Sequence, residues 1–166
     1  KVLLEMSELR SVPCEDDVEL GPLSEEVLTD LAPLAENKSI ALNCAGDALV
    51  IGSDTLLYRL VFNLVENAIR YSRPGSTVNV SICDTDSHVF LRVEDQGPGI
   101  PKQYRESIFQ PFFRLDKSRS RAYGGAGLGL ALVWEIAALH GGAVEVEASS
   151  ENGTVMLVTL SKGATT

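Results

Sequence analysis

Three polar side chains fall in one row of an otherwise apolar segment. In NLVENAIRYS, Asn63, Asn67 and Arg70 stand at i, i+4 and i+7, a spacing that puts them on one helix face. Asparagine is a poor helix former, so two in register point to a use. Amide oxygens suit Mg²⁺, which keeps several waters and bridges to phosphates, and a guanidinium neutralises phosphate charge. The plainer reading is the polar edge of a surface helix. Further on, DQGPGI (Asp95 to Ile100) ends the strand-like run VFLRVE. A carboxylate there only accepts hydrogen bonds and can take an exocyclic amine such as that of adenine, while the glycines let a flat ring approach. An ordinary Asp-Gly turn has the same sequence.

GGAGLGLAL places four glycines between Gly124 and Gly129 and runs into a helix-forming segment. Bare backbone N–H groups at a helix start bind phosphate; a flexible loop capping a helix has the same composition. The P-loop pattern needs Lys-Ser/Thr after the last glycine, and Leu130-Ala131 stand there instead. A dinucleotide fingerprint needs a strand directly before the glycines, whereas RLDKSRSRAY precedes them. Glu147 has that fingerprint's acid spacing, but it shares one solvated strand face with Glu145. Between the two glycine stretches lies IFQPFFRLDKSRSRAY. Ile108, Phe109, Phe112 and Phe113 can anchor a lid, and Lys117, Arg119 and Arg121 can face a phosphate; a packed loop with solvated charges is the alternative.

The elements that must carry these groups follow from periodicity. KVLLEMSELRSV has helical spacing at Val2, Leu3, Met6 and Leu9. EDDVELGPL reads as a short extended segment closed by Gly21 and Pro22. A helix follows with Ser24 as N-cap and Pro33 as a potential kink. SIALNCA and ALVIGS read as two strands around a turn at Gly46-Asp47. A long helix runs from about Asp54 to Tyr71, its core side made by Leu57, Leu60, Val61, Leu64 and Ala68, and SRPGS stops it. TVNVSICD and HVFLRVED form a hairpin, LGLALVWEIAALHGG a helix ended by Gly141-Gly142, and AVEVEAS with GTVMLVTL a last strand pair. Hairpins outnumber crossovers, so the class is α+β: a mixed, mostly antiparallel sheet with helices on one face.

The chain has 166 residues, 45% of them apolar, and a formal net charge of −9. That suits one domain with a real core and argues against nucleic-acid binding. The three cysteines, Cys14, Cys44 and Cys83, form no CxxC, so reduced structural thiols are expected rather than zinc. No apolar run is long enough to span a bilayer. The start KVLLEM, without an initiator Met, suggests a piece of a longer protein.

In order, the segments NLVENAIRYS, DQGPGI, FQPFFR and GGAGLGLAL closely resemble the N box, first glycine box, F box and second glycine box of sensor histidine kinases. ENGTVMLVTL is similar to that family's closing Gly-Thr strand. The resemblance covers nearly the whole chain. It implies the two-layer α/β sandwich called the Bergerat fold, shared with gyrase, the mismatch-repair MutL proteins and heat-shock chaperone ATPases. About three helices would pack on the sheet beside an ATP lid. Residues 13–162 would form the catalytic ATP-binding domain, 1–12 the end of a dimerisation and phosphoacceptor helix, and 163–166 a tail.

By the same resemblance the ligands are ATP and Mg²⁺. Asn67 would ligate Mg²⁺ and Asn63 assist with metal or phosphates, making these two and Arg70 the catalytic set. Arg70 stands where Lys is more frequent. Tyr71 would lie by the ribose or base, and Asp95 would bind the adenine amine, with Gly97, Gly99 and Ile100 shaping the pocket. Gly125, Gly127, Leu128 and Gly129 would hold phosphates through their backbone, helped by Arg119 and Arg121; Ala126 replaces a frequent Thr.

Gyrase-like relatives carry a Glu base for water four residues before the metal Asn, where this chain has Asn63. An amide takes no proton at neutral pH, so the chain is expected to hold ATP for another nucleophile. In the family that nucleophile is a histidine on a preceding dimeric helical hairpin, in a His-Asp/Glu context. His88 and His140 lack this context and read as structural or surface residues, so the chain alone is expected not to autophosphorylate. The implied partners are that dimerisation domain, in a homodimeric parent, and a response-regulator receiver domain whose aspartate takes the phosphoryl group. The chain itself would touch neither nucleic acid nor membrane. Its expected setting is the cytoplasmic side of a membrane-anchored sensor. The alternatives are a Bergerat-fold ATPase or serine kinase, and a degenerate nucleotide-binding interaction module.

Overall fold

The computed structural model describes residues 13–111 and 129–162. The helix expected within 1–12 and the tail 163–166 lie outside the described residues. Among the described residues, seven strands and three α-helices appear in the expected order. They are β1 (Asp16–Glu19), α1 (Leu20–Asn37), β2 (Ala41–Ala45), β3 (Leu49–Gly52), α2 (Asp54–Tyr71), β4 (Thr77–Asp84), β5 (His88–Asp95), α3 (Gly129–Leu139), β6 (Ala143–Ser150) and β7 (Gly153–Ser161). Two short 3₁₀ turns, Lys102–Tyr104 and Ser107–Phe109, follow β5.

Five strands form one mixed sheet in the order β2-β4-β5-β7-β6, with β2 parallel to β4 and the other pairs antiparallel. The α+β expectation therefore holds. The helices layer against this sheet, and α2 packs on both α1 and α3 and reaches β4 and β5. This placement explains the broad apolar face of α2. Leu57, Leu60, Val61, Leu64 and Ala68 are all buried, and so are Leu56, Val65 and Ile69 on the flanks, because neighbours cover the helix on more than one side. Ser53 caps α2, its Oγ accepting the Leu56 N–H at 3.2 Å, as the polar residue before an apolar run should.

Two local expectations are corrected. Ser24 does not cap α1; it lies inside that helix and is fully buried. The helix opens earlier because its first N–H groups find distant acceptors. Leu20 N–H donates to the Ala48 carbonyl at 2.9 Å, and Gly21 N–H to Asp47 Oδ1 at 2.6 Å. Gly21 and Pro22 consequently belong to the first turn, where proline's missing N–H costs nothing. The helix also continues through Pro33 to Asn37.

The strands on either side of Gly46-Asp47 exist but do not pair with each other. β2 joins β4, while β3 joins β1 in a separate two-stranded sheet. Gly46, at φ +91°, turns the chain where a Cβ would lie 2.1 Å from the Ile82 carbonyl oxygen.

The end of α3 is a Schellman motif. Gly141 N–H donates to the Ala138 carbonyl and Gly142 N–H to the Ala137 carbonyl, with Gly141 at φ +71°, as glycine after a helix permits. No helix among the described residues is long and apolar enough to cross a membrane.

Candidate functional site

The first half of the site is the end of β5. Asp95 is the last residue of that strand and is buried. Its Oδ1 accepts two backbone hydrogen bonds, from Gly97 N–H at 2.9 Å and from Thr154 N–H at 3.2 Å. Both bonds fall on one oxygen, which leaves the other as the acceptor for an incoming donor. Burial pushes the Asp95 carboxyl above the usual carboxylate range, against the lowering effect of the Gly97 and Thr154 N–H groups.

Bare backbone is a steric requirement at this corner. A Cβ on Gly97 would lie 2.4 Å from the Tyr71 carbonyl oxygen. One on Gly99, at φ +88°, would lie 2.1 Å from the Ser150 oxygen, and one on Gly153 2.1 Å from the Asp95 oxygen. Ile100 N–H donates to Ser149 Oγ at 2.8 Å, and that hydroxyl also bonds Thr154 Oγ1. The DQGPGI segment is thus fastened to both strands of the β6–β7 hairpin.

The second half is the exposed edge of α2. Asn63, Asn67 and Arg70 are half-buried in one row, and Tyr71 is exposed at the helix end. Asn63 Nδ2 is buried and has no hydrogen-bond partner among the described residues. A buried polar group left unpaired costs about 1–3 kcal/mol, so this amide is prepared for a ligand or a water. The Arg70 guanidinium is already engaged, bonding Glu66 Oε2 at 3.1 Å. That pair is about one-third exposed on each side, so it is weak enough to exchange for a phosphate.

A polar latch joins the two halves. Ser72, just past α2, accepts the Gln96 N–H on its Oγ at 3.1 Å. Gln96 Oε1 accepts the Thr77 N–H at 2.7 Å. Arg73 donates to the carbonyls of Gln96 and Glu151. Lys38 Nζ, from beyond α1, donates to the last carbonyls of α2, those of Ile69 at 2.9 Å and Arg70 at 2.8 Å. The helix end that bears Asn67, Arg70 and Tyr71 is therefore fixed against the strand end that bears Asp95.

The glycine run is described only from its last member. Gly129 opens α3, and a Cβ there would meet no described atom within 4 Å. Among the described residues nothing crowds this glycine, unlike those near Asp95. Phe112, Phe113, Lys117, Arg119, Arg121, Gly125, Ala126, Gly127 and Leu128 lie outside the described residues. Ile108 and Phe109, expected as lid anchors, are buried, and Phe109 meets Trp134 of α3 at 5.5 Å between ring centroids.

Several partners were not singled out from sequence. Thr154, Ser149, Ser72, Gln96, Arg73 and Lys38 carry no local signal, although Gly153-Thr154 stands in the recognised closing strand. Glu147 grips Arg92 through both carboxylate oxygens, at 2.7 and 3.0 Å, which removes it as a ribose ligand. His88 is exposed and His140 buried, as the surface and structural readings require.

Comparison with known proteins places the chain in a family and matches its fold. The family model described as histidine kinase-, DNA gyrase B-, and HSP90-like ATPase matches residues 52–164. Sensor-like histidine kinase SenX3 of Mycobacterium tuberculosis is 36% identical over 163 residues, covering 95% of this chain and 40% of that protein. The signal transduction histidine-protein kinase/phosphatase MprB of Mycobacterium sp. strain KMS is 44% identical over 105 residues, 63% of this chain and 20% of that one. The chain therefore spans less than half the length of the curated relatives it matches. Among solved structures, mycobacterial sensor histidine kinase MprB superposes with a TM-score of 0.79 at 31% identity, covering 91% of this chain and 99% of that one. A catalytic domain of histidine kinase ThkA gives 0.77 at 28% identity, covering 89% and 96%.

Proposed function

The chain belongs to the histidine kinase-, DNA gyrase B- and HSP90-like ATPase family, and from that premise we propose that it is the ATP-binding catalytic domain of a two-component sensor histidine kinase. It binds Mg-ATP and donates the γ-phosphoryl group to a histidine on a dimerisation domain, for onward transfer to a response-regulator aspartate. The parent protein is a membrane-anchored homodimer, and this domain works on its cytoplasmic side.

The observation that carries the reading is Asp95. A buried carboxylate with one oxygen fixed by two N–H groups and walled by obligatory glycines is a site for a flat, amine-bearing ring. The Asp95 carboxylate accepts from the adenine amine, and Gly97, Gly99 and Ile100 shape the slot. Tyr71 stands at its mouth by the ribose or base. Asn67 would ligate the Mg²⁺, and Asn63, whose buried amide lacks a partner among the described residues, would assist with the metal or the phosphates. Reversing that amide exchanges donor for acceptor, so the position suits either duty. Mg²⁺, when bound, would supply neutralisation of the phosphate charge. Arg70 leaves Glu66 for the phosphates, joined by Arg119 and Arg121. The backbone of Gly125, Gly127, Leu128 and Gly129 holds them at the start of α3.

Transfer rather than hydrolysis follows from Asn63. It occupies the position at which a water-activating carboxylate would stand, and Glu66, the nearest acid along the helix, directly precedes Asn67 and so does not share its face. Titration of the chain with a fluorescent ATP analogue, with and without Mg²⁺, tests the binding step. One saturable site, tighter with Mg²⁺ and displaced by ATP, is expected. Absence of displaceable binding would reject the reading in favour of a degenerate interaction module.

A further inference from the structure

His140 makes a contact that the proposed chemistry leaves unexplained. It follows α3, is 7% exposed, and sits between the end of that helix and the start of α2. Its Nδ1 lies 2.8 Å from the Ile136 carbonyl oxygen, one turn back in α3. Its Nε2 lies 3.0 Å from the backbone nitrogen of Ser53, the N-cap of α2. A carbonyl only accepts and an amide N–H only donates, so the ring is neutral, with its proton on Nδ1 and a bare Nε2.

The fit requires the neighbour as well. A Cβ on Gly52 would lie 2.4 Å from His140 Cδ2 and 2.6 Å from Nε2, so only glycine lets the ring reach Ser53. The polar contacts on both ring nitrogens are backbone groups. The ionisable side chains on the flanking elements include Asp16 of β1, which stands opposite Gly52 and accepts the Asp54 N–H on Oδ2 at 3.2 Å, Asp54, Tyr58 and Arg59 in the first half of α2, Glu135 on α3, and Lys162 after β7, which is paired with Asp84. Burial pushes the imidazole below its usual range, in keeping with a neutral ring.

We propose that His140 is a positioning residue for the nucleotide site. It is a strut from α3, whose first turn follows the glycine run, to α2, which carries Asn63 and Asn67. Lys38 pins the far end of α2, so His140 sets the near end. Together they fix the two amides relative to phosphates held at the start of α3. Protonation of Nε2 would set one N–H against another and release the strut.

This inference rests on the nucleotide-binding reading, and one experiment separates the two. The affinity of the chain for ADP is measured with and without Mg²⁺, for the native sequence, His140→Gln and Gly52→Ala, between pH 5 and 8. For the native chain, the affinity gain on adding Mg²⁺ should shrink as pH falls below the ordinary histidine range, by more than protonation of ADP's own terminal phosphate, with its second pKa of about 6, accounts for. Outer partners that orient a metal site cost about 10- to 100-fold in metal affinity when changed. His140→Gln should lose a gain of that order at pH 7.5, keep its Mg²⁺-free affinity, and retain only the pH trend that ADP's own phosphate imposes.

Gly52→Ala retains the imidazole but displaces it, and should lose the gain as well; it serves as the deciding variant if His140→Gln does not fold. A native chain that binds no ADP overturns the nucleotide reading itself. A native chain with a Mg²⁺ gain that both variants preserve, with only the melting temperature lowered, overturns the strut and leaves that reading intact.

Discussion

The two halves of the site are built on opposite principles. At the β5 end, main chain meets main chain at glycines, and Asp95 Oδ1 has its hydrogen bonds before any ligand arrives. On α2 the groups are side chains on a half-exposed edge. One amide there has no partner among the described residues, and the guanidinium is held by Glu66. The β5 corner is a rigid slot whose shape the fold determines. On the proposed reading, the α2 face is an unfinished set that phosphate and metal would complete. Recognition of the base would then be preorganised, while charge neutralisation would wait for the charge to arrive.

The largest expected effect comes from filling the slot. Gly97→Ala drives a methyl into the Tyr71 carbonyl, and overpacking of this kind costs about 1–3 kcal/mol. Nucleotide binding should vanish and the thermal midpoint should fall. If binding survives in a normally stable variant, the β5 corner is not rigid.

Asp95→Asn comes next and separates binding from stability. Losing a charged acceptor costs about 1.5–3 kcal/mol, so affinity should fall roughly 10- to 100-fold with or without Mg²⁺. The fold should not suffer, because a buried carboxylate raised above its usual range is a liability at neutral pH. The sign is definite. With the folded pKa above the unfolded one, the stabilising contribution is present below the unfolded value and is lost as pH rises through the folded value. The variant's denaturation curves should lack that slope.

Asn67→Ala should act on the other half only. Nucleotide affinity without Mg²⁺ should change little, and the tightening produced by Mg²⁺ should drop by roughly tenfold, the scale of a disturbed metal shell. An equal loss in both conditions would erase the contrast between the halves. The smallest effect belongs to Glu66→Gln, which frees Arg70. Stability should shift by no more than about 0.5 kcal/mol, with phosphate-dependent affinity unchanged or slightly improved in a direct titration.

What could be read in advance divides along the same line. The α2 face was legible because helix spacing alone puts Asn63, Asn67 and Arg70 in a row, and SRPGS marks the end of the helix. Asp95 and its glycines were legible as a motif, yet the reason for each glycine was not. The atoms they avoid belong to Tyr71, Ser150 and Asp95 itself, which the finished sheet brings close. Ser24 misled because a serine before an apolar run has the form of a cap, while the true partner, Asp47, lies 26 residues away. Lys38 and His140 were illegible for the same reason. Their hydrogen bonds span 31 and 87 residues, distances at which no local pattern survives.

The central claim is that this chain holds ATP for a nucleophile it does not carry. The direct test incubates it with Mg²⁺ and γ-labelled ATP, alone and with the histidine-bearing dimerisation domain of its own parent protein. The account predicts acid-labile label on the added domain, none on the chain alone, and little free phosphate. Steady release of phosphate by the chain, or acid-labile label on the chain itself, would contradict it.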